Sequence, residues 1–143
     1  MSDLIIERIY AVSAGNLYKA VTAPESLAAW FGPVGVSVVE HDLSLDTLGP
    51  WFAKMANAEG HTYKVSGVVT QVKPGTSVEF SWAWHDEHDQ RGRESQVTFE
   101  VTDLGDGTAK LRLIHKGLAD EEQVKNHNAG WTSSLEKMPA NLA

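Results

Sequence analysis

The chain has 143 residues, 42% of them apolar, and its 12 Lys and Arg against 19 Asp and Glu give a net charge of −7. It has no cysteine, which excludes disulfides, iron–sulfur clusters, thiolate zinc sites and cysteine nucleophiles. The acidic balance argues against nucleic acid or an anionic membrane as the main partner, because both attract a basic face.

The sequence has the features of one domain. No internal repeat, low-complexity tract or linker-like stretch interrupts it. Its start does not resemble a signal peptide, and no apolar run is long enough to insert into a membrane. Because a typical domain has roughly 150 residues, we expect a single cytoplasmic domain over residues 1–143.

The first part of the sequence predicts one strand and two short helices. Ile5–Val12 is rich in β-branched and aromatic residues, which is typical of a strand. Ser13 is a suitable cap for a helix over Ala14–Val21. Pro24 then opens a second helix over Glu25–Trp30, since proline is tolerated in a first helical turn.

A series of strands follows. The predicted strands are Val34–Leu45, Trp51–Asn57, Thr62–Lys73, Ser77–Trp84, Glu94–Asp103 and Thr108–Lys116. Turn-forming residues separate them. The pair Asp106-Gly107 between the last two strands is typical of a type I′ hairpin turn, in which two successive residues take positive φ.

The last segment changes to a helical period. Asp120 with Gln123 three residues later resembles a capping box. A stripe at steps of four and three residues follows over Val124, Asn128, Trp131, Leu135, Met138 and Leu142. Pro139 is expected to kink this helix or fray its last turn. Gly130 either lets another backbone approach or costs the helix about 1 kcal/mol relative to alanine.

These elements together predict an α+β fold. A curved antiparallel sheet of about six or seven strands would wrap around a C-terminal helix of roughly 30 Å. A strongly twisted sheet needs one face covered, and this helix is the only predicted element long enough to cover it. A sheet curled around one helix encloses volume, so we expect an internal cavity between them.

Several motifs carry a resemblance to a known family. The run Thr22–Pro33 (TAPESLAAWFGP) is similar to the family's second-helix signature. Asp106–Thr108, Leu113–Leu118 and the pair Gly130-Trp131 are similar to its C-terminal half. The chain therefore resembles the SRPBCC (START-like, birch-pollen-allergen-like) superfamily. Within it, the similarity is to the C-terminal domain of the activator of the 90-kDa heat-shock chaperone's ATPase.

The resemblance implies a helix-grip fold with a hydrophobic cavity between the sheet and the long helix. Members of the superfamily bind lipids, sterols, polyketides and plant hormones, and some are cyclases or hydrolases. The chain departs from the family pattern at Pro50, where many relatives have a second glycine before the tryptophan, and at Pro139 in the terminal helix. We expect no cofactor.

Period-two phasing in the strands and helix positions that would face the sheet select the candidate cavity residues. They are Trp30, His41, Phe80, Trp82, Trp84, Leu113, His115, Trp131 and Leu135. The aromatic residues either line the cavity or fill an ordinary core. His115 and His41 share an inward phase, and each is either a satisfied core histidine, a cavity-lining group or a catalytic acid–base.

The segment from His85 to Asp89 has residue types that bind divalent metals. Five adjacent polar residues cannot all converge on one ion, and the segment lies between two predicted strands. We therefore predict a solvated hairpin loop there and no metal site.

Three functions remain open from the sequence. The first is binding of a small hydrophobic molecule, such as a lipid or a polyketide, in the cavity. The second is a cavity enzyme of cyclase or hydrolase type with His115 or His41 as acid–base. The third is an interaction module that acts on a chaperone. A small hydrophobic molecule is the main expected partner, and a second copy of the chain and a chaperone are further candidates.

Overall fold

The computed structural model describes residues 2–141 and contains, in that range, seven strands, three α-helices and one 3₁₀ turn. In chain order these are β1 (Ser2–Tyr10), α1 (Ala14–Thr22), α2 (Pro24–Trp30), β2 (Val36–His41), β3 (Gly49–Asn57), β4 (Thr62–Lys73), β5 (Ser77–Trp84), β6 (Ser95–Gly105), β7 (Thr108–Leu118), α3 (Glu121–Lys137) and the 3₁₀ turn (Met138–Asn141). The predicted α+β fold, with two short helices after the first strand and a long C-terminal helix, is confirmed.

All seven strands form one open antiparallel sheet in the order β1-β7-β6-β5-β4-β3-β2. The three helices lie against its inner face: α3 packs against β1 and β7, α1 against β6 and β7, and α2 against β2. Because α3 packs against β1 and β7, a space remains between α3 and the strands β3 and β5, and side chains border this space. No helix among residues 2–141 is long and apolar enough to cross a membrane.

The turn between β6 and β7 has the predicted geometry. Asp106 has a φ of 55° and Gly107 a φ of 75°, so both central residues lie in the left-handed region. Gly105 pairs with Thr108 across this two-residue loop. These two φ values confirm the predicted type I′ turn. Such a turn suits a hairpin because its twist matches that of the strands it joins.

The inward orientation predicted for His41 is wrong. The register of β2 against β3 shifts between Val38 and Glu40, and such a bulge breaks the alternation on which the prediction depends. His41 is exposed and ends β2, which is shorter than the predicted strand. Leu43 and Leu45 are buried because the chain has left the sheet: the Leu45 amide donates a 3.1 Å hydrogen bond to the carbonyl of Thr22.

The terminal helix begins and ends close to the predicted positions. The Asp120 carboxylate accepts a 2.9 Å hydrogen bond from the Gln123 amide, so Asp120 caps α3. The helix ends at Lys137, two residues before Pro139, and the chain continues as the 3₁₀ turn. Of the predicted stripe, the residues Trp131, Leu135 and Met138 are buried. Asn128 is exposed, because the face that α3 turns inward passes through its neighbour His127 instead. Leu142 lies outside the described residues.

Candidate functional site: an apolar cavity beside the C-terminal helix

A cavity of about 270 Å³ lies between α3, the strands β3 and β5, and the segment that follows α2. It is lined by Phe31, Gly32, Pro33, Met55, Trp82, Trp84, Gln123, Asn126, His127, Gly130, Trp131 and Ser134. Its deep wall is apolar, and the exposed side chains of Gln123 and Asn126 stand at its outer edge. The site is therefore an apolar cleft with a polar rim, which is the usual character of a small-molecule site.

Small side chains on α3 create the space. The cavity-lining residues of this helix recur at steps of three and one, which places them on a single helix face. Gly130 and Ser134 lie one turn apart on that face. A Cβ atom added at Gly130 would meet no atom within 4 Å, apart from its own helix backbone and chain neighbours. The suggestion that Gly130 lets another backbone approach is therefore wrong: the glycine faces the cavity.

Packed aromatic rings form the deep wall. The rings of Trp82 and Trp131 have centroids 5.0 Å apart at an interplanar angle of 47°. Phe31 lies 5.8 Å from Trp82 and makes an edge-to-face contact with Trp131 at 6.1 Å. Trp51 packs against Trp82 from behind, at 5.7 Å. Such mutual contacts stabilise each ring in one orientation, so the wall is largely preformed.

His115 holds this wall from behind. Trp131 Nε1 donates to His115 Nδ1 at 3.1 Å, and His115 Nε2 pairs with Ser95 Oγ at 2.7 Å. Since Nδ1 accepts, the proton is on Nε2, and the Ser95 hydroxyl is then free to donate to the carbonyl of Trp82 at 3.3 Å. His115 is fully buried, and this burial, with a smaller contribution from His127, lowers its pKa to about 3. A neutral imidazole with both nitrogens paired positions Trp131 and has no free lone pair for a substrate.

His127 forms part of the cavity mouth. Its Nε2 accepts a 3.2 Å hydrogen bond from Trp84 Nε1, and its Nδ1 pairs with the carbonyl of Gln123 at 2.8 Å. Since a carbonyl can only accept, Nδ1 carries the proton and His127 is neutral in this arrangement. Trp84 is 38% exposed and is fixed at the rim by this bond.

One wall residue has an unsatisfied donor. Trp82 is 5% exposed, and its Nε1 has no hydrogen-bond partner among residues 2–141. A buried N–H group without a partner costs roughly 1–3 kcal/mol. Trp82 therefore carries a buried donor without a partner inside the wall.

The comparisons with known proteins agree with this architecture. The sequence profile of the family described as Activator of Hsp90 ATPase homolog 1-like protein (AHSA1) matches residues 11–143. The chain belongs to this family. Among solved structures, the AHSA1 protein from Silicibacter pomeroyi is 48% identical, with a TM-score of 0.94 over 98% of this chain and 96% of that one.

More distant structures share the fold of this AHSA1-family chain. A protein from Chromobacterium violaceum is 22% identical with a TM-score of 0.82, over 98% of this chain and 96% of that one. A protein from Mycobacterium smegmatis is 19% identical with a TM-score of 0.81, over 99% of this chain and 90% of that one. None of the curated proteins matches the chain.

The site residues predicted from the sequence of this AHSA1-family chain lie in different places in the structure. Trp82, Trp84 and Trp131 come together in the cavity wall. Trp30, Phe80, Leu113 and Leu135 lie in the hydrophobic core and do not line the cavity, and Trp30 Nε1 donates to the carbonyl of Ala20 at 2.8 Å. His115 lies behind the wall, and His41 is on the surface.

Sequence reasoning missed several of the residues that line the cavity. The missed lining residues include Phe31, Met55, His127, Gly130 and Ser134. A search for apolar stripes passes over a helix face of small and polar residues. The available signal was the pair of small residues at i and i+4 beside a tryptophan, because small side chains on an inward face leave a groove against the sheet.

Replacing Gly130 by alanine is expected to stabilise this AHSA1-family protein. The position is helical and its Cβ direction is open, so alanine should raise the free energy of unfolding by about 0.5–1 kcal/mol. Urea unfolding followed by circular dichroism measures the change. Ala129→Gly, at the neighbouring exposed position of α3, should cost a similar amount. A destabilised Gly130→Ala would show that the helix is not open at this face.

Proposed function

We propose that the protein binds a compact, largely aromatic molecule in the cavity beside α3. The observation that carries the proposal is the combination of the open face at Gly130 with the packed aromatic wall of Phe31, Trp82 and Trp131. The apolar wall would bind the body of the ligand through burial. A polar atom on the ligand, such as a hydroxyl or carbonyl oxygen, would lie at the rim beside Gln123 and Asn126.

The size of the cavity favours a small ligand over a long acyl chain. A cavity of about 150 Å³ is enough for benzene, whereas the pockets that bind drug-sized ligands have roughly 300–1,000 Å³. The volume of about 270 Å³ here suits a molecule of one or two fused rings. Among the hydrophobic ligands considered from the sequence, a polyketide-like aromatic fits this volume better than a lipid does.

An acid–base enzyme in the same cavity is less well supported. His115 is buried, neutral and bonded at both nitrogens, and His41 lies on the surface away from the cavity. His127 borders the cavity, but both of its nitrogens are also paired. General acid–base catalysis needs a group within hydrogen-bond reach of the substrate proton, and these pairings leave no such group free.

Titration with 2-naphthol tests the proposal. Its fused rings match the apolar cavity, and its hydroxyl can face the polar rim at Gln123 and Asn126. Calorimetry should give one site with a dissociation constant of about 10–100 μM, because small ligands reach roughly 0.3–1.5 kcal/mol per heavy atom. Tryptophan fluorescence should shift or decrease in parallel, since Trp82, Trp84 and Trp131 all line the cavity.

A matched pair of variants locates the binding. Gly130→Leu fills the cavity and should weaken 2-naphthol binding at least about tenfold, whereas Ala129→Leu adds the same side chain at an exposed position of α3 and should not. Equal binding by both variants would place the ligand elsewhere. If the protein bound palmitate more tightly than 2-naphthol, the ligand would be a lipid and not an aromatic molecule.

The family description supports a second candidate function, stimulation of a chaperone ATPase. The measurement is the ATPase rate of a purified 90-kDa heat-shock chaperone with and without the protein. Stimulation that Gly130→Leu leaves unchanged would show an interaction independent of the cavity. No stimulation would leave ligand binding as the supported function.

A further inference from the structure

A second group of chemically active side chains lies on the outer face of the sheet. Ser66 of β4 follows the buried Val65 and points to the opposite face of the sheet. Its partner on β5 is Ala83, and His85, which directly follows β5, has the same strand phase as Ala83. Ser66 Oγ lies 2.7 Å from His85 Nε2. His85 Nδ1 lies 2.7 Å from Asp89 Oδ1. The serine, the imidazole and the carboxylate therefore follow one another, each within hydrogen-bond distance of the next.

The protons in this chain of groups have one consistent arrangement. Asp89 also receives Lys64 Nζ at 3.3 Å. Hydrogen bonds from His85 and then Lys64 lower the pKa of Asp89, so it is an ionised carboxylate that only accepts. His85 Nδ1 must then carry the proton, which leaves the lone pair of Nε2 for the hydroxyl of Ser66. This is the tautomer that a general base beside a serine needs.

The surroundings of Ser66 favour negative charge on its oxygen. Arg91 Nε donates to Ser66 Oγ at 3.0 Å, and its Nη2 donates to the carbonyl of Ser66 at 3.0 Å. A fixed cation at this distance stabilises an alkoxide and the oxyanion that forms next to it. Glu94 accepts from Arg91 Nη1 at 3.1 Å and holds the guanidinium in place.

A tight turn holds Asp89 beside His85. Asp89 has a φ of 60°, a left-handed conformation that residues other than glycine seldom adopt. Its amide donates to the carbonyl of Asp86 at 3.0 Å, which closes the turn. A depression of about 580 Å³ borders His85, Asp89 and Lys64 on this face of the sheet. Ser66 is not one of its lining residues and lies beside it, in contact with His85.

We propose that Ser66, His85 and Asp89 form a nucleophilic serine site that hydrolyses small carboxylic esters on the outer face of the sheet. Ser66 Oγ attacks the ester carbonyl carbon while its proton passes to His85 Nε2. The C–O bond to the alcohol then breaks, and His85 returns the proton to the leaving oxygen. Water attacks the acyl group on Ser66, passes a proton to His85 and releases the carboxylic acid, while that proton returns to Ser66 Oγ. Asp89 is a positioning residue that holds His85 in the required tautomer.

Labelling of the full chain with diisopropyl fluorophosphate tests the site. Ser66 Oγ should displace fluoride and gain a stable phosphoryl group, which peptide mass spectrometry locates. His85→Ala should abolish labelling, and added imidazole should restore part of it. Asp89→Asn should lower the labelling rate about 100-fold, and Asp89→Glu should recover part of that loss. Ser37→Ala, which removes an exposed serine on β2, is the matched control and should label normally.

Turnover of p-nitrophenyl acetate is the second measurement. Release of p-nitrophenol should fall to the background rate in Ser66→Ala and remain unchanged in Ser37→Ala, with circular dichroism confirming that both variants fold. Turnover that survives Ser66→Ala, or a label on any residue other than Ser66, overturns the proposal. Absence of both labelling and turnover in the unaltered protein overturns it too, and would make the three residues a structural link between β4 and the hairpin loop.

Discussion

Between pH 7.5 and pH 5 the free energy of unfolding should fall by about 2 kcal/mol through His115 alone. Burial lowers the pKa of this imidazole from 6.5 to about 3, so the folded state holds it neutral while the unfolded state takes up a proton below pH 6.5. Neutral His115 therefore makes its full contribution to the free energy of unfolding above pH 6.5. This contribution decreases progressively as the pH falls towards 3.

The hydrogen bonds of His115 act in the same direction as its burial, because they also favour the neutral imidazole. Protonation of Nδ1 would remove its lone pair and break the bond from Trp131 Nε1. Urea unfolding at the two pH values measures the effect, with His115→Gln as the variant that has no titrating group at this position. The unaltered protein should lose about 2 kcal/mol more than His115→Gln does. His127→Gln should keep most of the difference, because burial is the larger cause of the shift. Equal losses in the unaltered protein and His115→Gln would contradict this account.

Replacing Gly67 by alanine should destabilise the protein by about 3 kcal/mol or more, the upper range for overpacking. A Cβ at this position would lie 1.9 Å from the carbonyl oxygen of Ser81 and 2.5 Å from its carbon, both backbone atoms. The pairing of β4 with β5 is irregular between Val69 and Gln71, and Ser81 Oγ accepts from the Val68 amide in this region. The two strands can approach this closely because position 67 has no side chain.

The expected loss corresponds to a decrease in melting temperature of about 10 °C for a domain of this size. Thermal unfolding followed by circular dichroism measures it. Gly15→Ala is the matched control, because Gly15 lies in α1 and an added Cβ there meets no atom within 4 Å. A melting temperature that is unchanged in Gly67→Ala would mean that β4 and β5 separate at little cost.

The sequence by itself determined the order and type of the elements. Alternating apolar residues, the Asp106-Gly107 pair and the Asp120 cap are local signals, and each acts over a few residues. They predicted the strands within a few residues of their observed ends, apart from β2. In β2 the bulge near Val39 moved His41 outward, and a bulge depends on how two distant segments pair, which periodicity does not report.

The tertiary structure alone decided which side chains form the cavity and which merely fill the core. The sequence predicts that Trp30 and Trp131 both face inward. In the structure, however, Trp30 lies in the core with its Nε1 bonded to the carbonyl of Ala20, whereas Trp131 borders the cavity. The difference arises because α3 packs against β1 and β7. The helix face with the small side chains at Gly130 therefore lies across the cavity from Trp82. The outward meeting of Ser66 with His85 likewise depends on the register between β4 and β5. Composition and spacing determine what each segment is, whereas the distance between two faces is set by packing across the whole sheet.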